Sequence, residues 1–574
     1  MTIQSKLIKE IKNSLKKNKI KINTPIIIQK NKFKKKGHFQ VNNLFQISHE
    51  CKINYFTLAK KIINKINLNK IIKSINFSKP CFINIFLNPR WIEKKIEKKV
   101  KKKIIFKKNN KKVVIDYSSP NVAKSMHVGH LRSTVIGDAM ARIMEFSGYN
   151  VIRSNHIGDW GNQFGMLIAY LKKKKINHIK NISIQKIEKI YRQAKKKSLK
   201  NKKFLKKTEK YTSKLQKNST YYNNIWKKVV QLTLRENKII YQLLNISLQD
   251  KNIFGESFYK EIVKKIVPDL IQRKIARVKN KNVIVFLKDF KNRKGEKMGI
   301  ILQKKSGAFL YSATDIACMK YRCKTLKADI ILYYIDSRQK QYLQQIYKIA
   351  KIAGYTTKKT IIQHHMFGMV LSKNKHPFQT RSGNTIKLID LINQSIKKAK
   401  KIILKKNENI EYTTLLKLSK IIGIGALKYA DLSKNRKKNY VFDWKKMLSF
   451  EGNTSLYIQY TYIRIYSILK KYKKKISHLN NKFMISNNYE LFLSIEILQF
   501  KETILKTVKN GQPHLLCKYI YKLASKYSKF YEKYNILNNK NKKIRNSQLQ
   551  MSFLIAKILK KGLNILGIQV MKFI

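Results

Sequence analysis

The sequence predicts an α/β protein of several domains: a doubly wound parallel sheet carrying a helical insertion, preceded by a small α+β domain and followed by an all-α bundle. Three observations carry that expectation. From Val113 the pattern runs strand (VVIDY), turn (SSPN), a helix with Val135, Ile136, Ala139, Met140, Ile143 and Met144 on one face, then a second strand at Tyr149 to Arg153, which is a βαβ opening. The alternation returns with a buried strand at Asp329 to Ile335 (DIILYYI), a helix at Gln341 to Ala353 and a short strand at Thr360 to His364. After about Glu451 every long segment has helical periodicity, at Tyr457, Tyr460, Ile463 and Tyr466, then Leu515 to Tyr531 and Leu549 to Leu566, and only Pro513 interrupts.

At 574 residues with 43% hydrophobic and 11% aromatic content, the chain is too long for one core and too apolar for disorder. Residues 1–110 open with Ile3, Leu7, Ile8, Ile11 and Leu15 at helical spacing and include an apolar strand, Cys81 to Leu87. A basic stretch, Lys94 to Lys112, holds only scattered apolar residues, and Asn109 and Asn110 break it, so a boundary is expected near 110. Residues 111–450 then form the central domain. Within it, residues 171 to about 285 are lysine-rich and helical, as at Ile225 to Leu244, and are expected to be an insertion made of helices. Residues 451–574 form the bundle.

Lys+Arg number 126 against 30 Asp+Glu, a formal charge of +96, so an acidic partner, nucleic acid before membrane lipid, comes first. The bases are spread along the whole chain with Ile and Asn, as AT-rich coding drift produces, so part of that charge is a solvated surface. The cysteines Cys51, Cys81, Cys318, Cys323 and Cys517 form no CxxC pair, which argues against a zinc knuckle or a disulfide framework. Charge interrupts the N-terminus every few residues and no run long enough to span a bilayer occurs, so the expectation is a soluble cytoplasmic protein.

The strongest local signal is SSPNVAKSMHVGH at 118–130, where a first parallel strand meets a helix N-terminus whose orphan amides and dipole attract phosphate. His127 and His130 lie one turn apart, and Gly129 lets a ligand approach the backbone. Two imidazoles so placed suit charge developing on a nucleoside triphosphate; the bland alternative is a surface turn with a kink glycine, and metal ligation would need a third ligand.

HVGH resembles the HIGH signature of class I aminoacyl-tRNA synthetases, and SPNVAKSMHVGHLRST resembles the form found in arginyl-tRNA synthetases. GDWGNQFG at 158–165, GES at 255–257, YSATDIA at 311–317, YYIDSRQ at 333–339, HHMFGMV at 364–370, KYADLSKNR at 428–436 and FEGNTSLYIQY at 450–460 follow in the same order. The resemblance covers essentially the whole chain. It implies a Rossmann-type catalytic domain, an N-terminal domain that touches the tRNA elbow and a helical anticodon-binding domain. The implied chemistry has two steps: the arginine carboxylate attacks the α-phosphate of ATP, brought as its Mg2+ complex, and the terminal adenosine of arginine tRNA then takes the arginyl group. No tightly bound cofactor, no metal site of the protein, no membrane and a monomer are expected.

By the same resemblance His127 and His130 stabilise the phosphates, and the amides near Gly129 and along Phe367, Gly368, Met369 and Val370 face the adenosine. Where the family carries KMSKS this chain reads FQTRS, Phe378 to Ser382, with Arg381 in place of the second lysine; Lys124, just upstream of HVGH, is the expected compensation. A planar guanidinium with five donors calls for carboxylates, and in a chain this poor in acids Glu256 and Asp315, with Tyr311, fit that need. Tyr311 and Asp315 are spaced to share a helix face. Asn121 and Gln339 are implied for the α-amino and carboxylate groups, with Asp116 as a further acid. Tyr457, Tyr460, Arg464 and Tyr531 are implied at the anticodon loop, where tyrosines stack on splayed bases; a tyrosine stripe also suits core packing. Leu456 and Ile574 depart from the common proline and methionine, and His38 stands in GHFQVNN where an aspartate is usual, so only Gln40 and Asn42 are carried over to the elbow. Two other readings stay open. A small-molecule adenylyltransferase would have no long helical C-terminal domain, and a synthetase-like RNA-binding protein would show decay at the substrate positions.

Overall fold

The structure is a computed structural model that describes residues 2–31, 34–68, 71–174, 182–291, 295–372, 374–376, 386–472 and 482–573. Four short strands, β1 (Ile28–Lys30), β2 (Phe39–Val41), β3 (Ile72–Ser78) and β4 (Phe82–Leu87), form an antiparallel sheet in the order β1-β2-β4-β3. The helix Ile3–Lys17 buries Ile3, Leu7, Ile11 and Leu15, the stripe its spacing predicts.

The basic stretch after this sheet is not an irregular boundary. Its first part belongs to a helix, Pro89–Lys101, opened by Asn88 and a proline in the first turn, and Ile92, Ile96 and Val100 form a buried line one turn apart. Glu93 and Glu97 of this helix accept hydrogen bonds from the Ile485 and Phe483 amides (2.9 and 2.8 Å), fastening it to the segment that leads into the helix Asn488–Leu498. Lys30 on β1 reaches the same region, where the buried Glu496 carboxylate gathers Lys30, Lys526 and Lys522. The lysines hold Glu496 near pKa 2 against the burial that would raise it.

β5 (Asn109–Asp116) and β6 (Tyr149–Ser154) flank the helix Val128–Phe146. Together with β10 (Ile330–Tyr333) and β11 (Ile361–His364), which follow β7 (Arg277–Lys279), β8 (Asn282–Lys291) and β9 (Lys297–Gln303), they form a fully parallel sheet, order β11-β10-β5-β6. Side chains alternate across it as the two-residue period requires. Val113, Ile115 and Leu332 face the core shared with the Val128–Phe146 helix, whereas Val114, Ile331 and Tyr333 face the core built with helices Lys260–Gln272, Tyr311–Lys320 and Lys340–Ile352.

The insertion differs from its expected all-helical form. Helices Ile184–Lys200, Lys202–Gln216 and Thr220–Leu243 are present, but from Arg277 the chain makes the antiparallel sheet β7-β8-β9. β8 alternates buried Val283, Val285 and Leu287 with the outward Ile284 and Phe286, and its basic end, Lys288 to Lys291, runs on from the lysine-rich helical surface. β12 (Val370–Leu371) and β13 (Tyr440–Val441) make a short parallel pair beside the site. Helices Ser455–Lys471, Asn488–Leu498, Phe500–Asn510, His514–Lys533 and Lys542–Ile565 form the C-terminal bundle. No helix among the described residues is long and apolar enough to cross a membrane.

The largest hydrophobic core runs unbroken from Ile3 and Leu7 through Ile115 and Leu131 to Leu516 and Leu566. A polar joint accompanies it. The buried Lys428 ammonium donates to the carbonyls of Leu244 (2.7 Å), Asn245 (3.3 Å) and Gly567 (3.0 Å), linking insertion, central domain and bundle.

Candidate active site

Between β5 and the helix it feeds, the SSPNVAK turn is held in a conformation that ordinary residues avoid. Ser118, Ser119 and Ala123 have φ of 71°, 47° and 66°. Side chains from other elements pin the turn: Ser133 Oγ accepts from Ser118 N (3.0 Å), Asn155 Oδ1 from Ser119 N (3.0 Å) and Thr233 Oγ1 from Ala123 N (3.2 Å). Asn121 emerges exposed, beside Gly158 of the GDWG loop.

His127 caps the helix Val128–Phe146. Its Nδ1 accepts from Gly129 N (3.0 Å), while His130 Nδ1 accepts from His127 N (3.1 Å), a reciprocal capping box made of two histidines. With each Nδ1 used as an acceptor, each proton sits on Nε2. Burial, then the neighbouring His127, pushes His130 down to about 3; burial, then Lys124, lowers His127. The rings, 4.0 Å apart, are therefore neutral Nε2–H donors. Any side chain at 129 would meet the His127 ring at 2.8 Å, so glycine there makes room for the capping ring. The Gly129 amide itself is already spent on that ring, which corrects the expectation that it faces adenosine.

Two amides of the HMFGMV segment are likewise spent within the chain. Gly368 N donates to Arg436 O (2.9 Å) and Met369 N to Asn439 Oδ1 (2.7 Å), Phe367 is buried, and Val370 pairs with Tyr440. What the segment offers outward is the exposed Met369 side chain. Its position is fixed by Arg132, which donates to Gly368 O (2.8 Å) and Lys438 O (3.0 Å) and pairs with buried Asp431.

Glu256 and Asp315 belong to one electrostatic cluster. Glu256 accepts from Trp160 N (3.0 Å), and burial, opposed by His156 and aided by Asp159 and Asp315, pushes its pKa up to about 7. Asp315 accepts from the Tyr342 hydroxyl and lies 3.2 Å from His156 Nε2. Tyr311, at the first position of its helix and exposed, rests on the Tyr342 ring at 5.3 Å. Gln339 is exposed at the start of helix Lys340–Ile352.

Asp116 does not join this group. Its carboxylate is buried against Arg322 and accepts from Ser119 Oγ (2.9 Å), so its charge is neutralised within the chain. Sequence reasoning missed His156, Asp159 and Tyr342. Asp159 accepts from Ser257 N (2.9 Å) and Oγ (2.6 Å), tying the GDWG and GES motifs together. The available signal was position: His156 lies two residues before Gly158 of GDWG and is one of 11 histidines.

Lys124 is half-buried, its Nζ 5.0 Å from the Tyr191 ring centroid, and burial followed by Lys195 lowers its pKa. Arg381 lies outside the described residues, as does Ile574. On the bundle, Arg464 stacks on both Tyr460 (5.1 Å) and Tyr531 (4.9 Å), and Tyr460 is exposed. Tyr457 instead turns inward, its hydroxyl on Ser528 (3.1 Å) and its ring on Tyr521, and Leu456 is core. Gln40 is partly buried on β2, Asn42 is exposed, and His38 is buried with Nδ1 accepting from Leu87 N (2.9 Å).

A family model described as tRNA synthetases class I (R), catalytic domain, matches residues 92–444; a DALR anticodon binding domain matches 458–574 and an arginyl tRNA synthetase N terminal domain 5–87. The chain is 51% identical over 572 residues to an arginine–tRNA ligase of Buchnera aphidicola from Schizaphis graminum, covering 98% of this chain and 99% of that one. It is 49% identical to the arginine–tRNA ligase of Blochmanniella floridana, with 94% of each covered. The arginyl-tRNA synthetase structure from Plasmodium falciparum superposes with a TM-score of 0.85 at 29% identity, covering 100% of this chain and 99% of that one. That from Thermus thermophilus shares the fold, with a TM-score of 0.81 at 19% identity and 99% and 100% of the two chains covered. The strained SSPN turn, the paired histidine cap and the acid cluster thus sit in a chain that belongs to the class I arginyl-tRNA synthetases.

Proposed function

We propose that this arginine–tRNA ligase reads its amino acid with Glu256, Asp315 and Tyr311 and activates it against ATP over the His127–His130 cap. The observation that carries the reading is the convergence of Glu256 and Asp315 in one electrostatic cluster within a chain of only 30 acids. A guanidinium presents five donors in a plane and is matched by separated carboxylates; a lysine ammonium lacks the fork. Asn121 and Gln339, both exposed, hold the α-amino and carboxylate ends.

ATP enters as its magnesium complex. The arginine carboxylate oxygen bonds to the α-phosphorus and the bond to the β-phosphate bridging oxygen breaks, releasing pyrophosphate. The two Nε2–H donors meet the charge that grows on the phosphate oxygens, and being neutral they need no proton to arrive or leave. Lys124 supplies a compact positive charge upstream of the cap. The terminal tRNA adenosine hydroxyl then attacks the arginyl carbonyl and AMP departs. Both steps rest on placement and charge rather than on a covalent enzyme intermediate.

Tyr460, Arg464 and Tyr531 form the anticodon platform, with Arg464 holding the two rings ready to stack on unpaired bases. Gln40 and Asn42 face the tRNA elbow. The protein acts as a cytoplasmic monomer. Aminoacylation assayed with each of the twenty amino acids and arginine tRNA tests the reading: arginine alone should be charged, and lysine charging at a comparable rate refutes it.

A further inference from the structure

β6 delivers His156 into the acid cluster. Asp315 Oδ1 lies 3.2 Å from Nε2, the Phe254 carbonyl 3.0 Å from Nδ1, and the Tyr259 ring packs at 5.6 Å. A carbonyl only accepts, so Nδ1 carries a proton. Nε2 is then either protonated and facing a carboxylate, or bare and accepting from a neutral carboxylic acid. The second arrangement leaves Asp315 no charge to offer a guanidinium, and the Tyr342 hydroxyl already donates to the other Asp315 oxygen, as it would to a carboxylate. Resting on the reading of Glu256 and Asp315 as the guanidinium's partners, we propose that His156 is a positioning residue of the arginine pocket. It is an imidazolium that fixes the Asp315 carboxylate and supplies the positive charge that lets clustered acids stay ionised in a confined space.

The groups facing it come from each surrounding element: Asp159 from its own loop, Glu256 and Tyr259 from the GES segment, Asp315 and Cys318 from the helix Tyr311–Lys320, with Tyr342 behind Asp315. Burial alone would lower the imidazole, but Cys318 and Asp315 outweigh it and keep the ring protonated well above the ordinary histidine range. His156 in turn pulls Glu256 down toward about 7 against burial, Asp159 and Asp315. Glu256 binds a guanidinium when ionised, so arginine affinity should fall as pH drops through that value. Without the charge at 156 the fall should begin at higher pH, a shift that a residue merely filling space would not produce.

His156→Gln in the full-length chain keeps a donor and removes the charge. Aminoacylation measured from about pH 6 to about 9 should show an arginine KM raised roughly tenfold or more near neutrality, with kcat and the ATP KM within about threefold. The midpoint of the arginine-KM profile should move up by about half a unit or more. An unmoved midpoint overturns the proposal whatever happens to KM. Asp315→Asn run in parallel separates the two levels: if it leaves arginine KM unchanged, the acid assignment itself fails; if it raises KM while His156→Gln does nothing, only this inference fails. Should the glutamine variant not fold, ring 15N spectra of the unaltered, histidine-labelled protein decide. One of the 11 imidazoles doubly protonated at about pH 8.5 is expected, and all of them neutral refutes it.

Discussion

His130 performs two separable jobs, and two substitutions pull them apart. Its Nδ1 accepts the His127 amide at 3.1 Å, which satisfies a helix N-terminal donor, and its Nε2–H is the donor assigned to phosphate. Asparagine places an oxygen where Nδ1 stood and has nothing at Nε2, whereas alanine loses both. His130→Ala should therefore cost about 0.5–2 kcal/mol of stability as a lost cap, and His130→Asn less than roughly 0.5 kcal/mol. Each removes one preorganised donor from the charge that develops in activation, worth about 2.7–4 kcal/mol, so arginine-dependent ATP–pyrophosphate exchange at saturating tRNA should fall about 10²- to 10³-fold in both. Denaturant unfolding and exchange rates, measured on the same preparations, test the split. Exchange by His130→Asn within about fivefold of the parent, roughly 1 kcal/mol, would mean that the ring is only a cap. Because His130 titrates near 3, its own protonation should leave no limb in the rate profile around neutrality.

Asp315→Asn should lower kcat/KM for arginine about 10²-fold with ATP affinity little changed, since it removes a charge-assisted partner and leaves His156 facing an amide; a loss under about threefold would exclude Asp315 from recognition. Lys124→Ala should reduce tRNA-dependent exchange about 100-fold and Arg381→Ala less, and the reverse order would assign the phosphate cation to Arg381. Tyr460→Ala should weaken binding of full-length tRNA yet leave charging of an anticodon-less minihelix unaltered; equal losses on both substrates would make Tyr460 a packing residue. His38 holds out against protonation to about 4, and His130 and His365 to about 3, whereas the unfolded chain protonates histidine near 6.5. Below about 6.5 the unfolded state binds more protons, so stability present at neutral pH is lost as pH falls toward 4. A Tm that stays flat from about pH 7 to about 5 would contradict that.

The parts of the fold set by local period were legible. VVIDY, the apolar face from Val135 to Met144, and DIILYYI gave the parallel sheet, because strand and helix repeats survive any number of surface lysines. Lysine drift hid the rest. In the helix Pro89–Lys101 the apolar residues Trp91, Ile92, Ile96 and Val100 stand among six lysine and arginine residues, and β8 runs on from its apolar half into Lys288, Asp289 and Lys291. At the site, motif position indicated His127, His130, Glu256 and Asp315, but not what each one touches. Asp116 and Arg322 lie 206 residues apart in sequence, and His156 meets Asp315 only when β6 and the Tyr311–Lys320 helix are packed on the same sheet. No local pattern records a pairing of that range.

The unbroken core from the first helix to the last bears on how the molecule melts. The boundaries expected from the sequence near 110 and 450 are not planes of weakness in the solid: Phe146 packs on both Phe106 and Phe500, and Lys428 grips carbonyls from two neighbouring parts. Separating the bundle would expose apolar area on both faces of the cut, at about 25 cal/mol for each Å². Thermal unfolding should then be concerted rather than stepwise, and a core lesson in one part, such as Phe500→Ala, should lower the melting of residues far from it. A tRNA bound at both the proposed elbow contact and the proposed anticodon platform would stiffen the whole ligase through that shared interior.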